Sequence, residues 1–294
     1  MVRDALGDVE NADVLDWDMS GPAPVVDIDI VVPPYMGNLD HLRRLEGLHV
    51  GLVQSLSVGY DGVDSVLPAH MVFANASSVH ETSTSEMTLA LILASQRGLA
   101  DFVRAAEHGT WAPAWHQSLA DRTVLLVGYG GVNRAVEDRL AGFEVTVVRV
   151  ARSERDDERG HVFALSSLHE QLARADIVVV GVPLTNETVH LVDDAFLSAM
   201  PDGALLVNIA RGPVADTAAL LDHARRGRLR LALDVTDPEP LPEGHELFSL
   251  ANVLISPHVG GATSAALPRV ARLLRDQIAR ISRGDEPRNI VLRT

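Results

Sequence analysis

Short runs of β-branched residues alternate with amphipathic, helix-like segments along almost the whole chain. This alternation is typical of a parallel α/β sheet, in which a helix follows each strand and crosses over to the next one. We predict strands at 25–32, 49–56, 71–76, 123–128, 145–150, 176–182, 204–210, 229–235 and 252–256. Predicted helices lie at 83–98, 131–140, 168–175, 217–226 and 267–282.

The length and one irregular stretch indicate two domains. A chain of 294 residues is long for a single core. Residues 108–122, with Gly, Pro and two Trp, break the alternation and read as a connection between two α/β blocks. We predict a dinucleotide-binding domain over 98–262 and a substrate domain made of 1–97 and 263–294. The predicted fold class is α/β, with two Rossmann-like or flavodoxin-like domains built on parallel sheets.

The composition removes several classes of function. A formal charge of −15 argues against a nucleic-acid partner, which is bound through clustered basic residues. The chain has no Cys, and all 25 of its basic residues are Arg. Thiol nucleophiles, Cys-ligated zinc, Schiff-base chemistry and the Walker A lysine are therefore excluded, and we predict no metal. No apolar run approaches the ~18 residues of a membrane span. The start does not resemble a signal peptide, so we expect no membrane partner and a cytoplasmic location.

A glycine-rich turn follows the strand predicted at 123–128. The sequence there is Gly128-Tyr129-Gly130-Gly131-Val132-Asn133, leading into a predicted helix. Gly128 permits the tight turn, Gly130 lets the backbone approach a pyrophosphate, and the helix start offers free N–H groups to the anion. Asn133 stands where a third glycine is usual. The turn indicates a dinucleotide site, and a methyltransferase or a purely structural turn remains an alternative.

The end of the next strand bears on the choice of cofactor. An NAD site usually places an acidic residue about 20 residues after the first glycine. Here the chain has Arg149, followed by Arg152 and Ser153. An arginine can pair with a 2′-phosphate but cannot accept a proton from a ribose hydroxyl. We therefore predict NADP over NAD, and the alternative is that both arginines are solvated surface charges.

Three further strands of the C-terminal half end in polar residues suited to one reaction. Arg211 can bind the planar carboxylate and carbonyl of a 2-keto acid through its fork of donors. His258 can give a proton to the carbonyl oxygen as hydride arrives, and Glu239 can orient the ring and favour its protonated form. Taken singly, each residue also has a structural interpretation: an ion-pairing Arg, a turn carboxylate or a packed His. Their joint order favours catalysis.

These segments together resemble the D-isomer-specific 2-hydroxyacid dehydrogenases, nearest to the glyoxylate/hydroxypyruvate reductases. The resemblance runs over most of the chain. It includes Ser-Val-Gly-Tyr-Asp at 57–61, the glycine turn, Val-Pro-Leu-Thr-Asn-Glu-Thr at 182–188, and Asp-Val-Thr-Asp-Pro-Glu-Pro-Leu-Pro at 234–242. The family assigns catalysis to the positions of Arg211, Glu239 and His258, with the active site in a cleft between two domains.

The resemblance also implies further binding residues. The backbone N–H groups of Ser57, Val58 and Gly59 should hold the substrate carboxylate, together with Arg211 and His258. The cofactor should contact Val182, Pro183, Thr188, Ala210, Asp234 and Gly260. A small 2-keto or 2-hydroxy acid as substrate and a homodimer are implied as well. Trp111 and Trp115 can serve a partner contact, a substrate wall or an ordinary loop.

Two alternatives and one departure stand beside this prediction. The chain can be an NAD(P)-sensing binding protein on the same fold, as related co-repressors are thought to be, and turnover would separate the two. Formate and phosphite dehydrogenases are disfavoured, because this chain has Glu239 where the former carry Gln and lacks the substrate-loop lysine of the latter. The departure is at the start: residues 1–12 are polar and acidic, where family members begin with an apolar strand.

Overall fold

The computed structural model describes residues 2–10 and 12–294. Its helices are α1 (Val2–Leu6), α2 (Glu81–Arg97), α3 (Leu99–Glu107), α4 (Gly131–Leu140), α5 (Leu168–Leu172), α6 (Asp194–Ala199), α7 (Thr217–Arg225) and α8 (Ala266–Ser282). Its strands are β1 (Asp27–Val31), β2 (His49–Gln54), β3 (Val72–Ala74), β4 (Thr123–Val127), β5 (Thr146–Ala151), β6 (Arg155–Asp157), β7 (Gly160–Ala164), β8 (Ile177–Val180), β9 (Leu205–Asn208), β10 (Arg230–Leu233), β11 (Val253–Ile255) and β12 (Ile290–Arg293). Every predicted strand and helix is present.

The chain divides into two compact units, which we call unit 1 (1–80 with 262–294) and unit 2 (81–261). Unit 1 contains a four-stranded sheet in the order β1-β2-β3-β12. Its first three strands are parallel, and β12 is antiparallel to β3. The sheets are therefore α/β and mostly parallel, as predicted, with one antiparallel edge strand in this unit.

Unit 2 contains an eight-stranded sheet in the order β11-β10-β9-β8-β4-β5-β7-β6. All its neighbours pair in parallel except β6, which is antiparallel to β7. Side chains of β4 alternate between two apolar clusters: Leu126 packs in the cluster of Ile92 from α2, and Leu125 in that of Phe196 from α6. Both faces of the sheet are covered by helices, which explains why its central strands are apolar throughout.

Helix α2 belongs to unit 2, although the sequence placed residues up to 97 in the substrate domain. It packs along α4, and Arg230 of β10 donates to the carbonyl of Ser95 at 3.3 Å. Because of these contacts, unit 2 begins at residue 81, whereas the predicted dinucleotide-binding domain begins at residue 98. The assignment of one domain to substrate and the other to cofactor stays a prediction.

The beginning of the chain is helical where the family resemblance led us to look for a strand. Within the described residues, no strand precedes β1. Helix α1 instead packs on α8 with Leu6 buried. Arg275 of α8 donates to the carbonyls of Ala5 and Leu6 at 3.2 and 2.5 Å, which satisfies the end of α1.

Candidate active site

The three predicted catalytic residues follow neighbouring strands of unit 2. Arg211 comes three residues after β9, Glu239 six after β10 and His258 three after β11. These strands are parallel and adjacent. Their carboxyl ends therefore lie at one edge of the sheet, which is the edge where open α/β sheets bind ligands.

His258 and Glu239 form a direct pair. His258 Nδ1 lies 2.5 Å from Glu239 Oε1, and the two side chains are 29% and 38% exposed. A carboxylate can only accept, so Nδ1 carries the proton of this bond. The Nε2 atom is then available to exchange a proton with a substrate. The predicted orienting role of Glu239 has a matching geometry.

Arg211 lies in a turn that packs closely on the turn after β10. A Cβ atom on Gly212 would stand 1.8 Å from the carbonyl oxygen of Thr236, so only glycine fits beside this backbone. Arg211 Nη1 donates to the carbonyl of Ala210 at 2.8 Å, and Asn208 Nδ2 donates to the carbonyl of Arg211 at 3.2 Å. The turn that carries the guanidinium is thus fixed on both sides.

Asp234 holds the loop that carries His258. Its buried carboxylate accepts from the Ser256 hydroxyl at 2.5 Å, from the Val259 N–H at 3.1 Å and from the Gly260 N–H at 3.0 Å. The N–H of His258 donates to the carbonyl oxygen of Asp234 at 2.8 Å. The loop is built around this one carboxylate. A further contact of Asp234 or Gly260 with a nicotinamide stays a prediction.

The glycine turn has the space that a dinucleotide needs. Gly128 has φ +85°, and a Cβ there would lie 2.7 Å from the carbonyl oxygen of Gly181. A Cβ on Gly130 would meet nothing within 4 Å, which leaves its backbone open to a ligand. Gly130 is also the N-cap of α4, with no side-chain capping bond. Open space at Gly130 and a helix start without a side-chain cap fit a pyrophosphate.

Asn133 replaces the usual third glycine without opening a gap. Its side chain is buried, and Nδ2 donates to the carbonyls of Val127 and Gly128 at 3.2 and 2.7 Å. Gly181 on the adjacent strand end makes room for it, because a Cβ there would lie 2.9 Å from that nitrogen. Asn133 therefore stabilises the glycine turn through hydrogen bonds to its backbone. Its role toward a cofactor, like those of Gly131 and Val132, stays a prediction.

Of the remaining predicted cofactor residues, Val182 lies beside this turn. A Cβ on Gly128 would approach Val182 Cγ1 to 2.7 Å, so Val182 borders the turn. The Thr188 hydroxyl donates to the carbonyl of Pro183 at 2.6 Å and thus closes its own loop. Ala210 is buried after β9. Contacts of these residues with a cofactor stay predictions.

The structure separates the two arginines that were predicted to bind a 2′-phosphate. Strand β5 continues to Ala151, so Arg149 lies inside it, pairs in register with Leu126, and makes an ion pair with Glu137 of α4. Its guanidinium fork is already filled. Arg152 and Ser153 follow directly after the strand and are exposed. That these two residues contact a cofactor stays a prediction.

In unit 1, the predicted substrate loop at 57–59 is held by hydrogen bonds to neighbouring residues. The N–H of Ser57 donates to Ser55 Oγ at 3.0 Å, so this group is already used. Asn75 Nδ2 donates to the carbonyl of Val58 at 2.8 Å, and His80 Nε2 lies 2.7 Å from the carbonyl oxygen of Leu56. That Val58 and Gly59 hold a substrate carboxylate through their N–H groups stays a prediction.

A buried histidine in unit 2 sits in a group that has the composition of a metal site but not its chemistry. Asp194, Asp222 and His223 lie close together. His223 Nδ1 accepts from Arg228 Nε at 2.8 Å, so Nε2 carries the proton and donates to Asp194 at 2.9 Å. Neither ring nitrogen has a lone pair to offer an ion. The group is a structural link between α6 and α7.

Comparisons with known proteins agree with the fold. The family model for the D-isomer specific 2-hydroxyacid dehydrogenase, NAD binding domain, matches residues 89–260. A glyoxylate reductase of Thermococcus onnurineus is 34% identical over 284 residues, covering 92% of this chain and 84% of that relative. One of Pyrococcus furiosus is 32% identical over 282 residues, covering 91% and 83%.

Two solved structures extend the similarity to the whole fold. An NADPH-dependent glyoxylate/hydroxypyruvate reductase of Sinorhizobium meliloti, in complex with NADP and sulfate, has a TM-score of 0.80 and 25% identity, covering 90% of this chain and 85% of that one. A D-isomer specific 2-hydroxyacid dehydrogenase of Xanthobacter autotrophicus, in complex with NADPH and MES, has a TM-score of 0.77 and 30% identity, covering 90% and 84%.

Fold and site together define a nicotinamide-dependent dehydrogenase with a Rossmann-type cofactor domain. The chain belongs to the D-isomer specific 2-hydroxyacid dehydrogenase family. The predicted family and enzyme class are confirmed. Over the residues that the structure describes, no helix is both long and apolar enough to cross a bilayer. The cytoplasmic location stays a prediction.

Four residues that shape the site were missed from the sequence. Gly181 and Gly212 make room for Asn133 and for the carbonyl of Thr236. Ser256 bonds Asp234, and Tyr129 turns its buried ring inward from the glycine turn. The two glycines could have been found from the sequence, because Gly181 directly follows β8 and Gly212 comes four residues after β9. The roles of Ser256 and Tyr129 depend on partners distant in sequence.

Proposed function

We propose that the chain reduces a small 2-keto acid, with glyoxylate and hydroxypyruvate as the first candidates, to the D-2-hydroxy acid. The two relatives from Thermococcus onnurineus and Pyrococcus furiosus are named glyoxylate reductases. The similar enzyme from Sinorhizobium meliloti is named a glyoxylate/hydroxypyruvate reductase. The observation that carries the proposal is the His258–Glu239 pair at the strand-end edge that also carries Arg211.

In this proposal each side chain has one task. Arg211 binds the carboxylate and carbonyl oxygens of the substrate through two parallel N–H donors. His258 gives the proton on Nε2 to the carbonyl oxygen, which becomes the hydroxyl. Glu239 keeps Nδ1 protonated and the ring in place. A bound nicotinamide cofactor supplies the hydride. Gly128, Gly130 and the start of α4 would hold its pyrophosphate.

We propose NADPH as the preferred cofactor, with its 2′-phosphate bound by Arg152 and Ser153 rather than by Arg149. Arg152 is exposed directly after β5, and its guanidinium can pair with a 2′-phosphate. Replacing it by Ala should weaken NADPH binding by about 10- to 100-fold, the worth of charge-assisted hydrogen bonds, with little effect on NADH. Arg226→Ala, which removes an exposed arginine at the end of helix α7, is the control. An unchanged NADPH/NADH ratio would contradict the assignment.

A substrate screen tests the proposed reaction. The purified chain is mixed with NADPH or NADH and a panel of 2-keto acids, and loss of cofactor absorbance is followed. We expect saturable turnover, fastest with glyoxylate or hydroxypyruvate. Tight cofactor binding without turnover of any acid in the panel would contradict the proposed reaction and favour a cofactor-sensing protein.

We propose that the chain acts as a homodimer through a face formed by α3 and residues 110–115. This face carries exposed Leu99, Phe102 and Val103, with Trp111 and Trp115 at 94% and 103% exposure. It is anchored rather than loose, because Gln117 accepts from Arg230 at 3.0 Å and Gln96 donates to the carbonyl of Ser118 at 3.1 Å. Apolar surface held in the open in this way marks an interaction site.

The charge of this face favours a second copy of the same chain as the occupant. Residues 99–118 contain two acidic residues and one Arg, a formal charge of −1 within a chain of −15. Two such acidic chains can approach each other best where their charge is lowest. Sedimentation should find a dimer that becomes monomeric in Trp111→Ser/Trp115→Ser. Phe248→Ser, which removes an exposed aromatic elsewhere in unit 2, is the control. A monomeric wild type, or a dimeric double variant, would contradict this.

A further inference from the structure

Tyr129 occupies the variable position between the two glycines of the phosphate-binding turn, yet it does not face solvent. Only 5% of it is exposed. Its hydroxyl donates to the carboxylate of Glu137, two turns further along α4. Burial, followed by the adjacent carboxylate, raises the pKa of the phenol, so it stays a donor. The turn is thereby tied to the middle of α4.

The same carboxylate is bound by Arg149 of β5. Arg149 Nε donates to both oxygens of Glu137 at 3.0 Å, and Nη2 makes a further contact. The side chains of Arg149 and Glu137 are 14% and 13% exposed. Burial acts to raise the pKa of Glu137, but hydrogen bonds from Arg149 and Tyr129 outweigh it and the pKa is lowered. Glu137 is therefore ionised at neutral pH.

The ring of Tyr129 is also enclosed by guanidinium groups. The Cζ of Arg134 lies 5.2 Å and that of Arg149 5.7 Å from the ring centroid, within cation–π range. Arg134 is fixed in turn by Asp157 of β6 at 3.0 Å. Turn, helix, strand and hairpin therefore meet at one side chain.

We infer that Tyr129, Glu137 and Arg149 form a brace that holds the glycine turn in its binding conformation and so sets the affinity for either nicotinamide cofactor. The inference rests on the proposed function. Glycine-rich backbone is conformationally permissive, and a site that is only partly populated binds more weakly by that fraction. The brace residues are positioning residues, because they act on the cofactor site through their contacts with one another and with Arg134.

The brace gives Arg149 a different role from a 2′-phosphate ligand, and the two roles predict different results. A ligand of the 2′-phosphate affects NADPH alone. A brace affects NADPH and NADH by the same factor, because both cofactors share the pyrophosphate. Removing one partner therefore changes the affinity for both cofactors and leaves their ratio unchanged.

The experiment measures dissociation constants for NADPH and NADH by fluorescence, well below the melting temperature of each variant. Tyr129→Phe removes only the phenolic hydroxyl. It should raise both constants by about 2- to 10-fold, the worth of one hydrogen bond, with kcat at saturating cofactor little changed. Glu137→Gln should act in the same direction. Arg149→Lys, which keeps the charge, should lie between Arg149→Met and the wild type.

A matched control separates affinity from stability. Arg122 pairs with Asp176 at 3.3 Å at the amino end of the same sheet, and both are partly buried. Arg122→Gln should lower the melting temperature without changing either dissociation constant. Unchanged constants in Tyr129→Phe would overturn the brace, as would a loss confined to NADPH in Arg149→Lys. A wild type that binds neither cofactor would instead overturn the proposed function itself.

Discussion

At the scale of single residues, the proposed chemistry depends on the geometry of the side-chain donors. Arg211 Nη1 donates to the carbonyl of Ala210, and the planar guanidinium has the fork of N–H donors that matches a carboxylate. Arg211→Lys keeps the charge but loses the fork. It should lower kcat/KM for a 2-keto acid by about 10- to 100-fold, measured by steady-state kinetics. Arg226→Lys is the control, and a near-normal kcat/KM would contradict the role.

Gly260 is a second residue with no substitute. A Cβ there would lie 2.8 Å from Asp234 Oδ2 and would displace the carboxylate that holds the His258 loop. Gly260→Ala should cost about 1–3 kcal/mol of unfolding free energy, as overpacking does, and should lower kcat. Gly142→Ala is the control, since a Cβ there meets nothing within 4 Å. Equal stability and kcat in both variants would refute this account of the loop.

The sequence predicted the strand-end positions of Arg211, Glu239 and His258 better than the contacts of the charged residues around the cofactor turn. Arg211, Glu239 and His258 each follow a strand, so the parallel topology alone brings them to one edge. The side to which Arg149 points depends on where β5 ends and on the presence of Glu137 on α4. Neither the strand end nor this long-range partner can be derived from local pattern.

At the scale of elements, helix α4 and strand β5 are joined by the Glu137–Arg149 pair. Because the pKa of Glu137 is lowered in the folded chain, its contribution to stability is present at neutral pH. This contribution is lost as the pH falls below the ordinary range of a glutamate and through the lowered pKa of the folded state. Glu137→Gln should cost roughly 1.5–3 kcal/mol near pH 7, the worth of hydrogen bonds to a charged group.

Chemical denaturation between pH 7 and pH 3.5 measures this difference. The gap in unfolding free energy between the wild type and Glu137→Gln should shrink as the solution becomes more acidic. The exposed pair of Arg225 and Glu246 provides the comparison, through Glu246→Gln, which should have a smaller effect at neutral pH. A gap that stays constant over this range would show that ionised Glu137 does not stabilise the fold.

Some elements were predicted to the residue, and others were missed, among them the amphipathic helix α3 and the short helix α6. Helix α4 begins and ends at the predicted residues. The hairpin of β6 and β7 was missed, because its first strand reads Arg-Asp-Asp and presents no apolar alternation. Helix α1 and strand β12 were missed as well. Each is short and is stabilised by contacts with segments far away in sequence, α8 and β3.

At the scale of the whole molecule, the sequence predicted the fold class better than the boundary between the two units. The alternation of strands and helices predicted an α/β fold with parallel sheets, and the structure has this fold with one antiparallel edge strand in each sheet. The unit boundary fell at residue 81 instead of 98, because α2 packs on α4 of unit 2. A helix carries no mark in its own sequence of which sheet it covers.

The central claim is that His258 exchanges the proton of a keto-acid reduction while the cofactor binds elsewhere on the same sheet edge. The most direct measurement compares His258→Gln with the wild type, in kcat for glyoxylate reduction and in the dissociation constant for NADPH. We predict that kcat falls by about 10²- to 10⁴-fold with NADPH binding unchanged. An unchanged kcat would contradict the claim.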